Sequence, residues 1–226
     1  MILTSHQPNF LPYLGVFYKA YRSDIFVLSD DVQFSKKGMH NWNYIRTKEG
    51  QHKITVPVIA HHDTPLRDIL ISEPENSLPR IIKTIRETYS RTAHYEEGAK
   101  LLEMMEKMIK PNLRLVEMNR FLILFILHQF GMYQKVLMAT KDLGIQGHKD
   151  DRIFQMCHET MANVYYSGTG AKVYHDEERY RTEGIELVYS DYKPVEYRQK
   201  YSPFLQNMSV IDYIFNEGYS IPEEWK

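Results

Sequence analysis

Three short polar clusters contain the side chains best suited to bind or transform a small ligand. They cover residues 5–9 (SHQPN), 29–33 (SDDVQ) and 167–172 (SGTGAK). Each cluster directly follows a run of residues with high β propensity. Parallel strands bring their carboxyl ends to one edge of a sheet, where ligands bind, so we expect the three clusters to line one pocket.

His6 of the first cluster is the candidate catalytic residue. The pKa of an ordinary imidazole lies near neutrality, so His6 could act as a general base or as a donor to a phosphate or carboxylate. A histidine that only caps the following turn is the alternative. Gln7 and Asn9 add two amides to the same turn, and we predict that both bind substrate.

The second cluster contains two adjacent carboxylates. Neighbouring side chains on extended backbone point to opposite faces, so Asp30 and Asp31 should not form a paired dyad. Asp31 and Gln33 share a face, and a carboxylate and an amide two residues apart could hold a diol or an amine. We therefore predict a catalytic role for Asp31 and a binding role for Gln33, with turn capping as the alternative.

The third cluster has the small residues that let backbone amides approach an anion. Ser167, Gly168 and Gly170 are accordingly predicted to bind substrate. The segment lacks the spacing of a P-loop and the third glycine of a dinucleotide fingerprint. A tight strand-to-helix turn without a ligand remains the alternative.

Metal, thiol and familiar hydrolase chemistry are not indicated. Residues 61–63 (HHD) group three metal-ligand types, but adjacent histidines diverge, and we predict no metal site there. Cys157, the single cysteine, lies between apolar helical neighbours and should be a small buried hydrophobe. The chain has no Gly-x-Ser-x-Gly or zinc-protease motif.

Composition excludes two classes of partner. The chain has 226 residues, and 28 Lys and Arg against 29 Asp and Glu give a net charge of −1. This balance lacks the positive field of a nucleic-acid binder or of a polybasic membrane protein.

Residues 121–127 (FLILFIL) are too few to span a bilayer and should form a core helix. No secretory signal is evident, so we expect a cytoplasmic protein.

The elements that must position these clusters alternate between strand and helix patterns. Residues 1–5, 11–21 and 24–34 have the outline of a βαβ unit, which predicts a parallel sheet. Residues 42–46 and 53–59 flank Glu49-Gly50 as a hairpin. Further predicted strands cover residues 66–72, 135–139, 164–167 and 185–189, and further helices cover 77–89, 95–108, 113–130, 150–163 and 209–216. We predict one α/β domain over residues 1–226, with a mostly parallel sheet of Rossmann-like type and a helical insertion at about 77–131.

The clusters taken together resemble the WbqC-like protein family. The resemblance extends over essentially the whole chain, in residues 6–15 (HQPNFLPYLG), 24–34 (DIFVLSDDVQF), 41–46, 56–58, 166–174 (YSGTGAKVY), 197–199 and 205–218. Tyr174, at the end of one block, is thereby added to the predicted binding residues. His175 departs from the family pattern, which more usually has an apolar residue there.

This family is associated with bacterial O-antigen and other surface-polysaccharide gene clusters. Some members have been proposed to transfer an aminoacyl group such as glycine to a sugar. The resemblance thus implies a transferase in which His6 deprotonates an amine or hydroxyl, while Asp31 with Asn41 and Asn43 orients the acceptor. The implied ligand is a sugar or nucleotide-sugar, and a homo-oligomer is left open.

A more distant similarity connects the opening residues with pantothenate synthetase and related adenylyl-transferring folds. Those enzymes bind ATP phosphates with a pair of histidines on the turn and helix. The second histidine is absent here, and Lys19 lies nearby and could take over its charge. Three functions therefore stay open, with no cofactor identified: an acyl or aminoacyl transferase acting on an amino sugar, an ATP-using adenylyl transferase or ligase, and a non-catalytic small-ligand binding protein.

Overall fold

A computed structural model of the chain describes residues 1–61, 63–132, 136–140 and 142–226, with only the backbone of residues 136–139. The described helices are α1 (Leu14–Tyr21), α2 (Pro74–Tyr89), α3 (Tyr95–Lys107), α4 (Leu115–Gln129), α5 (Asp150–Glu159), α6 (Glu177–Thr182) and α7 (Val210–Glu217), with 3-10 turns at Leu66–Asp68, Thr169–Tyr174 and Glu223–Trp225. The described strands are β1 (Ile2–His6), β2 (Ile25–Leu28), β3 (Trp42–Thr47), β4 (Gly50–Thr55), β5 (Val58–Ile59), β6 (Leu70–Ile71), β7 (Val136–Ala139), β8 (Val164–Ser167) and β9 (Glu186–Tyr189).

The central sheet has five strands in the order β7-β2-β1-β8-β9, and each neighbouring pair is parallel. Strands β2 and β7 are added on one side of β1. Strands β8 and β9, which come later in the chain, are added on the other side. The strand order therefore reverses between β1 and β8, the point at which open parallel sheets bind ligands. The predicted α/β class with a parallel sheet is confirmed.

Two apolar cores cover the two faces of this sheet. Along β2, Phe26 and Leu28 belong to the larger core, whereas Ile25 and Val27 belong to the smaller one. This alternation follows from the two-residue period of a strand. The smaller core contains apolar side chains of α5, and the larger one contains those of α1, α4 and α7.

The middle of the chain forms the three helices α2, α3 and α4, close to their predicted positions. Helix α2 begins at Pro74, three residues earlier than predicted, because proline suits the first turn of a helix. Pro79 lies inside the helix. Gly98 of α3 permits the close approach of α7, since a Cβ there would lie 2.6 Å from the Phe215 ring.

Several predicted boundaries were wrong. Helix α5 ends at Glu159 rather than at residue 163, because Met161 adopts a left-handed conformation with φ of 54°. The predicted strand at 66–72 is a 3-10 turn followed by the two-residue strand β6. Lys135, predicted to begin a strand, lies outside the described residues. The β3–β4 hairpin is confirmed.

Helix α4 contains the apolar run at 121–127. Leu122, Ile123, Ile126 and Leu127 are buried, whereas Phe121 and Leu124 are 38% and 40% exposed. The run is therefore a core helix with one partly exposed stripe. Across the described ranges, no helix combines the length and apolar character needed to cross a bilayer.

Candidate functional site

A cavity of about 450 Å³ lies at the carboxyl edge of the sheet, where the strand order reverses. The ends of β1, β2, β8 and β9 and the helix α1 surround it. Its lining consists of Ser5, His6, Gln7, Tyr13, Gly15, Lys19, Ser29, Val32, Tyr165, Ser167, Gly168, Thr169, Gly170, Ala171, Ser190 and Tyr192. The structure thus brings part of each of the three clusters to one place, whereas Asn9, predicted to bind substrate, lies outside the lining.

A larger cavity of about 550 Å³ runs along α4. Its charged lining comes mainly from exposed side chains, among them Arg67, Arg114 and Glu117, and it also contains Asp30. It holds none of the side chains of the first or third cluster. The smaller cavity is therefore the candidate site.

His6 lies at the end of β1 with its Nε2 atom 3.3 Å from the Asn9 Nδ2 atom. Burial is the main cause that holds the pKa of His6 well below its usual 6.5, and electrostatic interaction with Lys19, then with His40, lowers it further. The imidazole is therefore neutral at pH 7, and Nε2 accepts a hydrogen from the Asn9 amide. The same low pKa makes His6 a weak base.

Lys19 comes from the last turn of α1 and is only 8% exposed. Its Nζ donates to the Ser5 carbonyl oxygen at 2.8 Å. Burial lowers the pKa of Lys19 from 10.5 to about 8. The ammonium is still mostly protonated at pH 7 and gives the cavity a desolvated positive charge.

Gln7 is held by His40, a residue that sequence reasoning did not select. His40 Nε2 donates to Gln7 Oε1 at 2.7 Å, and His40 Nδ1 accepts the Ser35 backbone N–H at 3.4 Å. Burial lowers the pKa of His40 to about 4, so the ring is neutral. Gln7 and His40 are 33 positions apart, and no sequence pattern could have linked them.

The structure places Asp31 outside the cavity lining. Its Oδ1 lies 2.5 Å from Arg152 and accepts from Thr140 Oγ1 at 2.7 Å. Burial alone would raise the pKa of Asp31, but the bonds from Arg152 and Thr140 outweigh it and the pKa is lowered. Gln33 is exposed and donates to Asp63, so Asp31 and Gln33 do not meet in the cavity.

Asn41 and Asn43 are buried and bonded to the backbone. Asn41 Nδ2 donates to the Val56 carbonyl oxygen at 2.8 Å. Asn43 Nδ2 donates to the carbonyl oxygens of residues 10 and 11, at 3.2 and 2.7 Å. The Asn43 amide thus braces the turn that follows the first cluster, and neither amide lines the cavity. Tyr174, also outside the lining, is 72% exposed.

The third cluster begins at the end of β8. Ser167 Oγ lies 2.9 Å from His175 Nε2. Gly168 has a φ of −70°, open to any residue, and a Cβ on Gly168 or Gly170 would meet nothing within 4 Å. Neither backbone strain nor crowding therefore requires glycine at position 168, and the space beside it is open.

The remaining sequence candidates are readily placed. Within the described ranges no group of three or more His, Cys, Asp or Glu side chains could hold a metal, and His62 lies outside those ranges. Cys157 is fully buried in the smaller core, as predicted, and burial raises the pKa of its thiol to about 12.

Comparisons with known proteins cover nearly the whole chain. The sequence model of the WbqC-like protein family matches residues 7–223. The chain is also 28% identical over 220 residues to the uncharacterized protein Rv1507c of Mycobacterium tuberculosis, an alignment that covers 96% of this chain and 94% of that protein. No solved structure matches the chain significantly.

Proposed function

This chain belongs to the WbqC-like protein family, and from that premise we propose that it is a cytoplasmic transferase of bacterial surface-polysaccharide (O-antigen) synthesis. It transfers an acyl or aminoacyl group, of the glycine type, to the amino group of a sugar. We infer a sheet of Rossmann-like type for its single domain, with α2–α4 as a helical insertion between β6 and β7. The strand order and the position of these helices in the chain support that description.

The composition of the cavity is the observation that carries the proposal. Hydroxyl groups from Ser5, Ser29 and Ser190 line it beside the rings of Tyr13 and Tyr192. Hydroxyls bond to the hydroxyls of a sugar, and flat rings pack against its apolar faces. Its volume of about 450 Å³ falls within the usual range for small-molecule sites.

Lys19 would bind the anionic part of a ligand. A sugar donor or acceptor linked to a nucleotide carries phosphates, and an ammonium with little access to water attracts them strongly. The cavity at the reversal of strand order is also where parallel sheets hold phosphate-bearing ligands. The phosphates of a nucleotide-sugar then fix the position of the reacting amine.

The transfer forms one bond and breaks another. The neutral sugar amine attacks the acyl carbonyl carbon, the new C–N bond forms, and the bond to the leaving group breaks. One proton must leave the nitrogen. Asn9 holds the Nε2 atom of the neutral His6, so in this proposal His6 positions the acceptor sugar through its other ring nitrogen, and the proton leaves with the departing group.

The test is transfer itself. Wild-type protein would be incubated with a nucleotide-linked amino sugar and either glycyl-tRNA or glycine with ATP, and the products analysed by mass spectrometry. We expect the mass increase of one glycyl residue on the sugar, with turnover reduced in Lys19→Met and His6→Gln. The exposed Lys37 and His52 provide matched control variants, Lys37→Met and His52→Gln. Absence of binding across a panel of amino sugars would refute the proposal.

An ATP-using adenylyl transferase or ligase is the second candidate. The observation that favours it is Lys19 in the same cavity as His6, where it can replace the missing second histidine. This function predicts release of pyrophosphate from ATP when a small carboxylic acid is added. ATP that binds without pyrophosphate release, for every acid tested, would instead support a binding protein without catalysis.

A further inference from the structure

Ser167 lines the cavity and begins a chain of contacts with two further reactive side chains, His175 and Asp150, which lie outside the lining. Ser167 Oγ is 2.9 Å from His175 Nε2, and His175 Nδ1 is 2.7 Å from Asp150 Oδ1. The side chains of His175 and Asp150 are 5% and 7% exposed, and Ser167 is 1% exposed. This is the order of contacts found in serine nucleophiles activated by a histidine and a carboxylate.

Asp150 fixes which ring nitrogen of His175 carries the proton. Its Oδ2 accepts the Asp176 backbone N–H at 2.9 Å, and its Oδ1 accepts the Tyr180 hydroxyl at 3.1 Å. Burial alone would raise the pKa of Asp150, but these donors and His175 outweigh it and the pKa is lowered. An ionised Asp150 requires a hydrogen on His175 Nδ1, which leaves the Nε2 lone pair to accept the Ser167 hydroxyl.

The position of Ser167 suits a reaction with a ligand in the cavity. Ser167, Gly168 and Gly170 all line it, and the glycines leave open space beside the serine. Strands β1 and β8 are neighbours in register, Leu3 opposite Tyr165. That register brings the ends of both strands to the same edge, so the serine and the side chains of the first cluster face the same ligand.

We propose that Ser167 is a catalytic nucleophile that carries the acyl group as an ester on its Oγ, with His175 as its general base and Asp150 as a positioning residue. This inference rests on the proposed function, because it supplies a covalent route for the same transfer. The acyl donor it requires is an activated one, an oxygen ester or a mixed anhydride with phosphate.

The two steps balance. In the first, Ser167 Oγ attacks the acyl carbonyl carbon while its proton passes to His175 Nε2, and the donor's oxygen leaves with that proton. In the second, the sugar amine attacks the ester carbonyl carbon, gives its proton to His175 Nε2, and the bond to Ser167 Oγ breaks. Ser167 then regains the proton from His175. Ser167, His175 and Asp150 thus return to their starting protonation states, and no oxidant or reductant is needed.

Covalent labelling tests the nucleophile without a known substrate. The full chain would be treated with a fluorophosphonate and, separately, with p-nitrophenyl acetate, and its mass measured before and after digestion. We expect one adduct per chain on Ser167, none in Ser167→Ala, and labelling slowed by roughly 100-fold or more in His175→Gln. Ser35→Ala, a change at an exposed serine away from the cavity, should label normally.

A second variant covers the case in which His175→Gln does not fold. Ser167→Cys in a Cys157→Ala background keeps the geometry of the side chain, and its thiolate should react with iodoacetamide faster than free cysteine does. A rate at or below that of free cysteine would overturn the proposal, as would wild-type protein that gains no adduct on Ser167.

Failure of this inference and failure of the proposed function give different results. Adduct formation at Ser167 without transfer to any amino sugar supports the nucleophile and refutes the acceptor. Transfer to an amino sugar at an unchanged rate in Ser167→Ala refutes the nucleophile and leaves the transferase intact.

Discussion

Lys19→Met should stabilise the protein at pH 7 while it weakens ligand binding. Lys19 is 8% exposed, and its pKa falls from 10.5 in the unfolded chain to about 8 in the folded one because of burial. At about 1.4 kcal/mol per pKa unit, holding the charged ammonium in the folded chain costs about 3 kcal/mol. Methionine has a similar length and removes the charge.

The methionine variant also loses the hydrogen bond from Lys19 Nζ to the Ser5 carbonyl oxygen. A hydrogen bond contributes about 1 kcal/mol net, so the variant should be more stable than the wild type by about 2 kcal/mol at pH 7. Between the folded and unfolded pKa values of Lys19, the unfolded chain binds more protons than the folded chain. Wild-type stability therefore rises with pH across that interval, and the advantage of the variant should shrink.

Urea denaturation of both proteins, at pH values from 7 to about 10, measures this difference, and calorimetry with a nucleotide-sugar measures binding. Lys37→Met, at an exposed lysine outside the cavity, is the control and should change neither quantity. The reasoning fails if Lys19→Met is less stable than the wild type at pH 7, or if the stability difference does not depend on pH.

Asp31→Asn should lower the free energy of unfolding by about 1 to 3 kcal/mol in urea denaturation, because Arg152 loses its partner, with unchanged ligand affinity. Folding lowers the pKa of Asp31, so the stabilisation by its carboxylate is complete at pH values above the pKa of the unfolded chain. It should disappear as the pH falls through the pKa of the folded chain, which acid titrations of both proteins would measure. Cys157→Ala should cost about 1 kcal/mol, and native Cys157 should react with thiol reagents only slowly. Tyr89→Phe should cost about 1 to 3 kcal/mol in thermal denaturation, because the buried Asp212 loses a donor at 2.7 Å.

The spacing of apolar residues along the sequence was enough to predict most of the regular elements. The continuous run IFVL of β2 and the apolar run of α4 each contain their own signal, because a bounded apolar run indicates a buried element. The end of α5 could not be predicted in this way, because the left-handed conformation of Met161 is not marked by glycine or asparagine. The short strands β5 and β6 lie inside the longer predicted strands at 53–59 and 66–72, and their bounds could not be predicted because two residues do not establish a period.

The candidate site was predictable where one strand end supplied a whole cluster. His6 and Ser167 met at the cavity because the carboxyl ends of parallel strands share an edge. Asn43 resembled a ligand-binding amide in the sequence, yet its donors are bonded to backbone carbonyls. His40 and Asp150 were missed because each contacts its partner across a separation that only the folded chain closes.

We expect the two walls of the cavity to divide the work that the proposed acyl transfer requires. On one side Lys19 supplies a desolvated charge for an anionic ligand, and the low pKa of His6 keeps that imidazole neutral. A weak base such as His6 cannot readily activate a hydroxyl, because the proton would have to move to a site that disfavours charge. On the other side His175 has an ionised carboxylate at Nδ1, which stabilises the imidazolium that forms. The proton released in the transfer is therefore better accepted by His175, beside Ser167. The side of the cavity that contains Lys19 and His6 is better suited to hold the ligand.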